Sequence, residues 1–160
     1  MPSVIIVGAG PAGAALGYLL AHRGIDVTLL ERQKDFSREF RGEVLMPSGV
    51  EAIEEMGLSG PMATVSHQFQ ESITVYLNGS RVFSQELDAE TFEDHPIQAI
   101  SQPEFLEMLV GEAGKSSLFK LKRGASVKEL LFEGERVVGV RARTPEGAVS
   151  YTHLTLPTKA

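Results

Sequence analysis

Val4-Ile5-Ile6-Val7-Gly8-Ala9-Gly10-Pro11-Ala12-Gly13 runs a β-branched apolar stretch into a glycine-rich turn and then into a residue suited to open a helix. A run that is apolar on both pleats predicts a central parallel strand with both faces covered. Each glycine has its own steric role: Gly8 permits the tight turn, Gly10 lets backbone approach a pyrophosphate, and Gly13 lets the helix pack closely on the strand. Pro11 fits the first helical turn, where its missing N–H would be an orphan anyway, and the free N–H groups from Ala12 onward, with the helix dipole, attract phosphate. Strand, turn and helix in this order supply the context that makes the bare glycine pattern a dinucleotide-binding turn.

The helix is predicted from about Pro11 to Arg23, with Ala12, Ala15, Leu16, Leu19 and Leu20 facing the sheet, Gly17 extending the close packing and Gly24 as the C-terminal cap. A second apolar strand, Asp26 to Leu30, delivers Glu31 roughly 20 residues beyond the turn, where a carboxylate accepts hydrogen bonds from ribose hydroxyls and repels a 2′-phosphate. This favours FAD or NAD over NADP. The neighbouring Arg32 is the opposing signal, since a guanidinium there accommodates that phosphate. The structural alternatives are glycines chosen for packing alone and a solvated strand-end carboxylate at Glu31.

Composition bounds the remaining classes. The 160 residues, 42% apolar and 22% charged, suit an ordinary globular domain, and the net charge of -6 argues against a nucleic-acid footprint. Acidic residues concentrate between Glu51 and Glu112 and basic ones between Lys115 and Arg143, which reads as two solvated faces. With no cysteine there is no disulfide frame, zinc-thiolate site or thiol nucleophile, and a cytoplasmic location is expected. The N-terminal apolar run lacks a basic leader and is too short for a signal-peptide core, and no later segment has the length to span a bilayer.

Val4 to Arg32 resembles the N-terminal FAD fingerprint of flavoproteins with the glutathione-reductase-type Rossmann fold. Phe40-Arg41-Gly42-Glu43-Val44-Leu45-Met46-Pro47-Ser48-Gly49, followed by Ile53 to Leu58, resembles the segment after strand two in FAD-dependent aromatic hydroxylases of the p-hydroxybenzoate hydroxylase type. The resemblance implies an α/β FAD-binding domain with a parallel sheet and a β-meander, FAD as cofactor, and NAD(P)H as electron donor in the full-length parent. It also implies that Arg41 lies along the FAD; the competing reading is a surface arginine paired with Glu39 or Glu43. Family members carry Gln or Arg at the position of Gln102, near the flavin, against which stands a helix-capping role.

Further along, Pro47-Ser48 starts a helix with Val50, Ile53 and Met56 on one face, ended by Gly57. Alternation at Ile73, Val75 and Leu77 around Asn78-Gly79 predicts a β-hairpin within Glu71 to Leu87, the first of a substrate-domain sheet in the resembled family. Ser101 caps a helix to about Ala113 with Phe105, Leu106, Leu109 and Val110 inward. Strands at Leu118–Leu121, Ser126–Phe132 and Arg136–Arg143, with a third meander strand after Gly147, complete the pattern. The expected organisation is residues 1–66 and 101–150 as FAD-binding domain, 67–100 as the start of the substrate-domain sheet, and 151–160 as a non-native tail resembling translated sequencing-adapter read-through. The chain is thus expected to be a truncated FAD domain of a monooxygenase, inactive by itself. A related prenyl reductase or halogenase, or a non-catalytic nucleotide-binding domain, are the alternatives. His22, His67, His95 and His153 show no ligand spacing, so no metal is assigned, and no catalytic acid, base or nucleophile is named.

Overall fold

The computed structural model describes residues 3–37, 43–87 and 95–152. In chain order the elements are β1 (Ser3–Val7), α1 (Pro11–His22), β2 (Asp26–Glu31), β3 (Glu43–Leu45), α2 (Pro47–Glu55), α3 (Ser59–Met62), β4 (His67–Phe69), β5 (Ser72–Leu77), β6 (Ser80–Glu86), β7 (Gln98–Ile100), α4 (Gln102–Ala113), β8 (Phe119–Arg123), β9 (Ser126–Glu133), β10 (Arg136–Thr144) and β11 (Gly147–Thr152). They form two compact units, Met1–Ser37 with Leu106–Ala160, and Arg38–Phe105.

In the first unit β1, β2 and β8 make a parallel sheet in the order β1-β2-β8. Val27 to Glu31 of β2 are all buried, whereas β1 is only partly covered. Among the described residues, then, β2 and not β1 holds the middle position. An apolar run reports burial of its faces, not its place in the pairing order.

The sheet-facing side of α1 also differs from expectation: its buried residues are Ala14, Gly17 and Ala21, and Leu16 is exposed. The cause is closeness. A Cβ on Gly13 would stand 2.0 Å from the Gly8 carbonyl oxygen, and one on Gly17 would stand 2.8 Å from the Phe119 ring. A helix this near the sheet must present its small residues, and the leucines flank them. At its far end Gly24, at φ +81, donates to Ala21 O while Ile25 donates to Leu20 O, closing the helix with the expected left-handed glycine.

The antiparallel meander β11-β10-β9 packs Val140 and Ala142 with Leu30 and Ala125, and Ile5, Val127 and Tyr151 lie against that cluster. Gly139 permits the close approach of β11, since a Cβ there would fall 2.2 Å from Tyr151 O. β11 pairs through Thr152, two residues past the break expected after Ser150. From α4, Phe105, Leu106, Leu109 and Val110 are buried as expected, and Ala113 is buried with them.

In the second unit β7 lies between β3 and β4, antiparallel to both, with α2 and α3 in the same unit. This unit runs over Arg38–Phe105, and the β3–β7 pairing joins its earlier stretch to its later one. The β5–β6 hairpin turns at Asn78 (φ 51) and Gly79 (φ 78), the type I′ geometry for which Asn-Gly is suited. Every residue of its two strands is exposed.

Candidate functional site

The site is built at the carboxyl ends of β1 and β2. Gly8 turns the chain at φ +98 while its N–H donates to Leu30 O at 2.8 Å. Gly10 is the N-cap of α1, at φ -70 and ψ 179, and Pro11 occupies the first turn. No side chain caps this terminus and no acidic residue lies in its first turn. The N–H groups of Ala12 and Gly13 have no acceptor within the helix, by the geometry of any helix start, and with the dipole they favour negative charge there.

The three glycines separate by what surrounds them. Gly8 is fixed by its backbone angle and Gly13 by its contact with the Gly8 carbonyl. Gly10 is fixed by neither: its φ is ordinary, and a Cβ would meet nothing within 4 Å. The fold itself leaves that space open at the terminus of α1.

Glu31 is 5% exposed. Its Oε2 accepts from the Ala9 N–H at 2.7 Å and its Oε1 from the Gln33 N–H at 2.8 Å. The carboxylate thus ties the glycine turn to the loop after β2. A carboxylate has about four lone-pair sites, so these bonds leave capacity for ribose hydroxyls. Arg32 beside it is exposed.

A residue outside the site expected from sequence holds this loop. Arg123, paired in register with Glu31, donates both terminal nitrogens to Glu107, at 2.8 and 2.6 Å, and stands 4.5 Å over the Phe36 ring. The Arg123 hydrogen bonds hold the Glu107 carboxyl below its ordinary range, and those same bonds raise the guanidinium above its own. Phe36 is 2% exposed, and Gly124 N–H closes the loop on Gln33 O at 3.0 Å. The only local signal was a lone aromatic in the polar stretch from Arg32 to Ser37; the pairing of Arg123 with Glu107 is a product of the fold.

Gly8, Gly10, Pro11, Ala12, Gly13, Glu31 and Arg32 therefore come together in the first unit. Gln102 opens α4 within the second unit, half-buried. Arg41 lies outside the described residues. Among the described residues no three His, Asp or Glu side chains gather as a metal site, and no helix is long and apolar enough to cross a membrane.

Residues 1–152 match the family described as FAD binding domain. The chain belongs to that family. FAD is the cofactor of such domains, and the open approach at Gly10, the uncapped helix terminus and the buried Glu31 fit its adenosine-diphosphate half. Squalene epoxidase 4 of Arabidopsis thaliana is 30% identical over 145 residues, 90% of this chain and 28% of that protein. Among solved structures, p-nitrophenol 4-monooxygenase from Pseudomonas putida superposes with a TM-score of 0.74 at 20% identity, over 94% of this chain and 39% of its own. The myxobacterial chondrochloren halogenase, an FAD-dependent enzyme, superposes at 0.77 with 24% identity, over 95% and 36%. The chain spans about three-tenths of the epoxidase's length. The fold is that of the FAD-binding part of these proteins: a parallel sheet, the glycine turn and a meander.

Proposed function

We propose that this chain is the part of an FAD-dependent monooxygenase that holds the adenosine-diphosphate half of the cofactor, in an enzyme that uses NAD(P)H and O2 to oxygenate an aromatic or similar small organic substrate. The observation that carries the reading is Gly10, a glycine that neither backbone angle nor packing demands, at an uncapped helix terminus. In this reading the N–H groups of Ala12 and Gly13 bind the pyrophosphate, Glu31 accepts from the ribose, and Arg41 and Gln102 serve the flavin end as the family resemblance implies. FAD, when bound, would supply the redox chemistry of such an enzyme. The protein's contribution is to bind, orient and exclude water.

The monooxygenase reading is supported by the epoxidase likeness along 90% of the chain. The hairpin β5–β6, with Ile73, Val75, Tyr76, Leu77, Val82 and Phe83 exposed, fits the start of a substrate-domain sheet that a further layer covers. A cytoplasmic setting completes the proposal, in keeping with a chain free of cysteine.

Titration of the 160-residue protein with FAD, ADP and NADPH tests it. Saturable binding of FAD and ADP without substrate-dependent NAD(P)H oxidation is expected. Failure to bind ADP overturns the site, and turnover of an aromatic substrate by this chain alone overturns the division of labour.

A further inference from the structure

We infer that the second unit carries a binding cavity of its own, centred on the side chain of Gln98, for a small uncharged molecule with a carboxamide or lactam edge on an apolar body. The cavity measures about 350 Å³ and lies among β3, β4, β7, α2 and α3. Leu45, Val50, Ile53 and Met62 give it apolar walls, and Gln98 and His67 give it polar ones. Its size falls within the range of about 300–1,000 Å³ usual for small-molecule sites.

Gln98 is the anomaly that makes this cavity more than a packing gap. Its residue is 9% exposed, and among the described residues its side-chain amide has no hydrogen-bond partner. Its backbone is committed to the sheet, where its register partners on either side are Leu45 and Phe69. An apolar residue would therefore suit the position, and a buried amide without a partner costs about 1–3 kcal/mol. Buried polar side chains are as a rule bonded, so this one calls for a partner that enters the cavity.

The chemistry of the walls narrows the partner. A glutamine amide presents an acceptor oxygen and an NH2 donor on one plane, which a carboxamide or lactam edge complements with the reverse pair. His67 Nδ1 lies 2.8 Å from Val65 O, and a carbonyl only accepts, so Nδ1 carries the proton and Nε2 of the neutral ring is an acceptor. Glu54, on the wall and bonded to His95 at 2.9 Å, opposes an anion. A cation would have to displace His95 from Glu54 and would otherwise face only a neutral amide. An uncharged ligand is what remains.

Benzamide and benzoate, matched in shape and differing in charge, are the probes. In the intact chain the Gln98 side-chain NH2 resonances in a 1H–15N spectrum are expected to shift saturably with benzamide and not with benzoate, and Gln98→Leu is expected to weaken benzamide at least tenfold. Absence of a saturable shift overturns the proposal and leaves water as the occupant. Equal binding by benzoate, or by a folded Gln98→Leu protein, overturns it as well. Should Gln98→Leu fail to fold, Ala63→Phe carries the test, because Ala63 lines the cavity at an exposed position where a larger side chain is tolerated. Loss of the benzamide shift in that variant supports the cavity, and retention refutes it.

Discussion

Alanine at position 13 and alanine at position 10 should fail in different ways, because Gly13 is required by the fold and Gly10, in the proposed site, by the ligand. A Cβ on residue 13 lies 2.0 Å from the Gly8 carbonyl oxygen, 3.2 Å from its carbon and 3.4 Å from Ile6 Cγ2. Carbon and oxygen approach comfortably to about 3.3 Å, so helix and turn must part by more than about 1 Å. Both partners of that clash are backbone, and no rotamer relieves it. Overpacking of this kind costs about 1–3 kcal/mol or more, and the better helix propensity of alanine returns about 1 kcal/mol at most. A net loss near 2 kcal/mol lowers Tm by roughly 4–8 °C for a chain of this length. At position 10 the new methyl meets no protein atom, and the fold loses only the glycine's N-cap preference over alanine, about 0.5–1 kcal/mol. In the proposed site the methyl instead occupies the pyrophosphate's approach, and the same overpacking scale of about 1–3 kcal/mol predicts FAD binding weakened roughly 5- to 150-fold. Thermal melts of the apo-proteins and titration of each with FAD separate the two effects. The reasoning is refuted if Gly10→Ala melts as low as Gly13→Ala, or binds FAD as tightly as the unaltered chain.

Removing Glu31 should damage both fold and site. Glu31→Ala strips the acceptor from the buried Ala9 N–H, worth about 1–3 kcal/mol when left unsatisfied, and from the exposed Gln33 N–H, which water can satisfy, so urea unfolding should shift to lower concentration and ADP binding should weaken. An unchanged midpoint would show that the clamp carries no weight. Acid should also loosen the first unit. The Glu107 carboxyl is held low by Arg123, so its contribution is complete above the unfolded value of about 4.3 and disappears as pH falls through the lower folded value. Glu107→Gln should accordingly flatten the decline of Tm below about pH 4.3, and a limb as steep as before would exclude this pair as its source. Gly139→Ala should destabilise by about 1–3 kcal/mol, because its Cβ would strike Tyr151 O at 2.2 Å and Thr152 Cα at 2.9 Å. In a chain ended at Ser150 most of that cost should vanish. If it persists, β11 does not make the contact that runs past Ser150.

What the sequence carried was the local and periodic part of this structure. The strand, turn and helix from Ser3 to His22, the Asn78-Gly79 hairpin, the glycine cap at Gly24 and the buried face of α4 each depend on neighbours a few residues apart, and each is in place. The misplacements share a different cause. The leucines of α1 outrank its alanines in hydrophobicity, yet the alanines and Gly17 face the sheet, because Gly13 and Gly17 bring the helix too near for larger side chains. β1 reads as central from its composition, and among the described residues it is β2 that takes the middle, because β8, far along the chain, pairs with β2. Glu31 shows both limits in one side chain. Its spacing from the glycine turn marked it as a ribose acceptor, and nothing local could show that the same carboxylate binds the Ala9 N–H across 22 residues. If Glu31 binds the ribose as proposed, that bond makes the two roles inseparable: the same buried carboxylate also holds the glycine turn, so disturbance at either end of the proposed site is transmitted to the other.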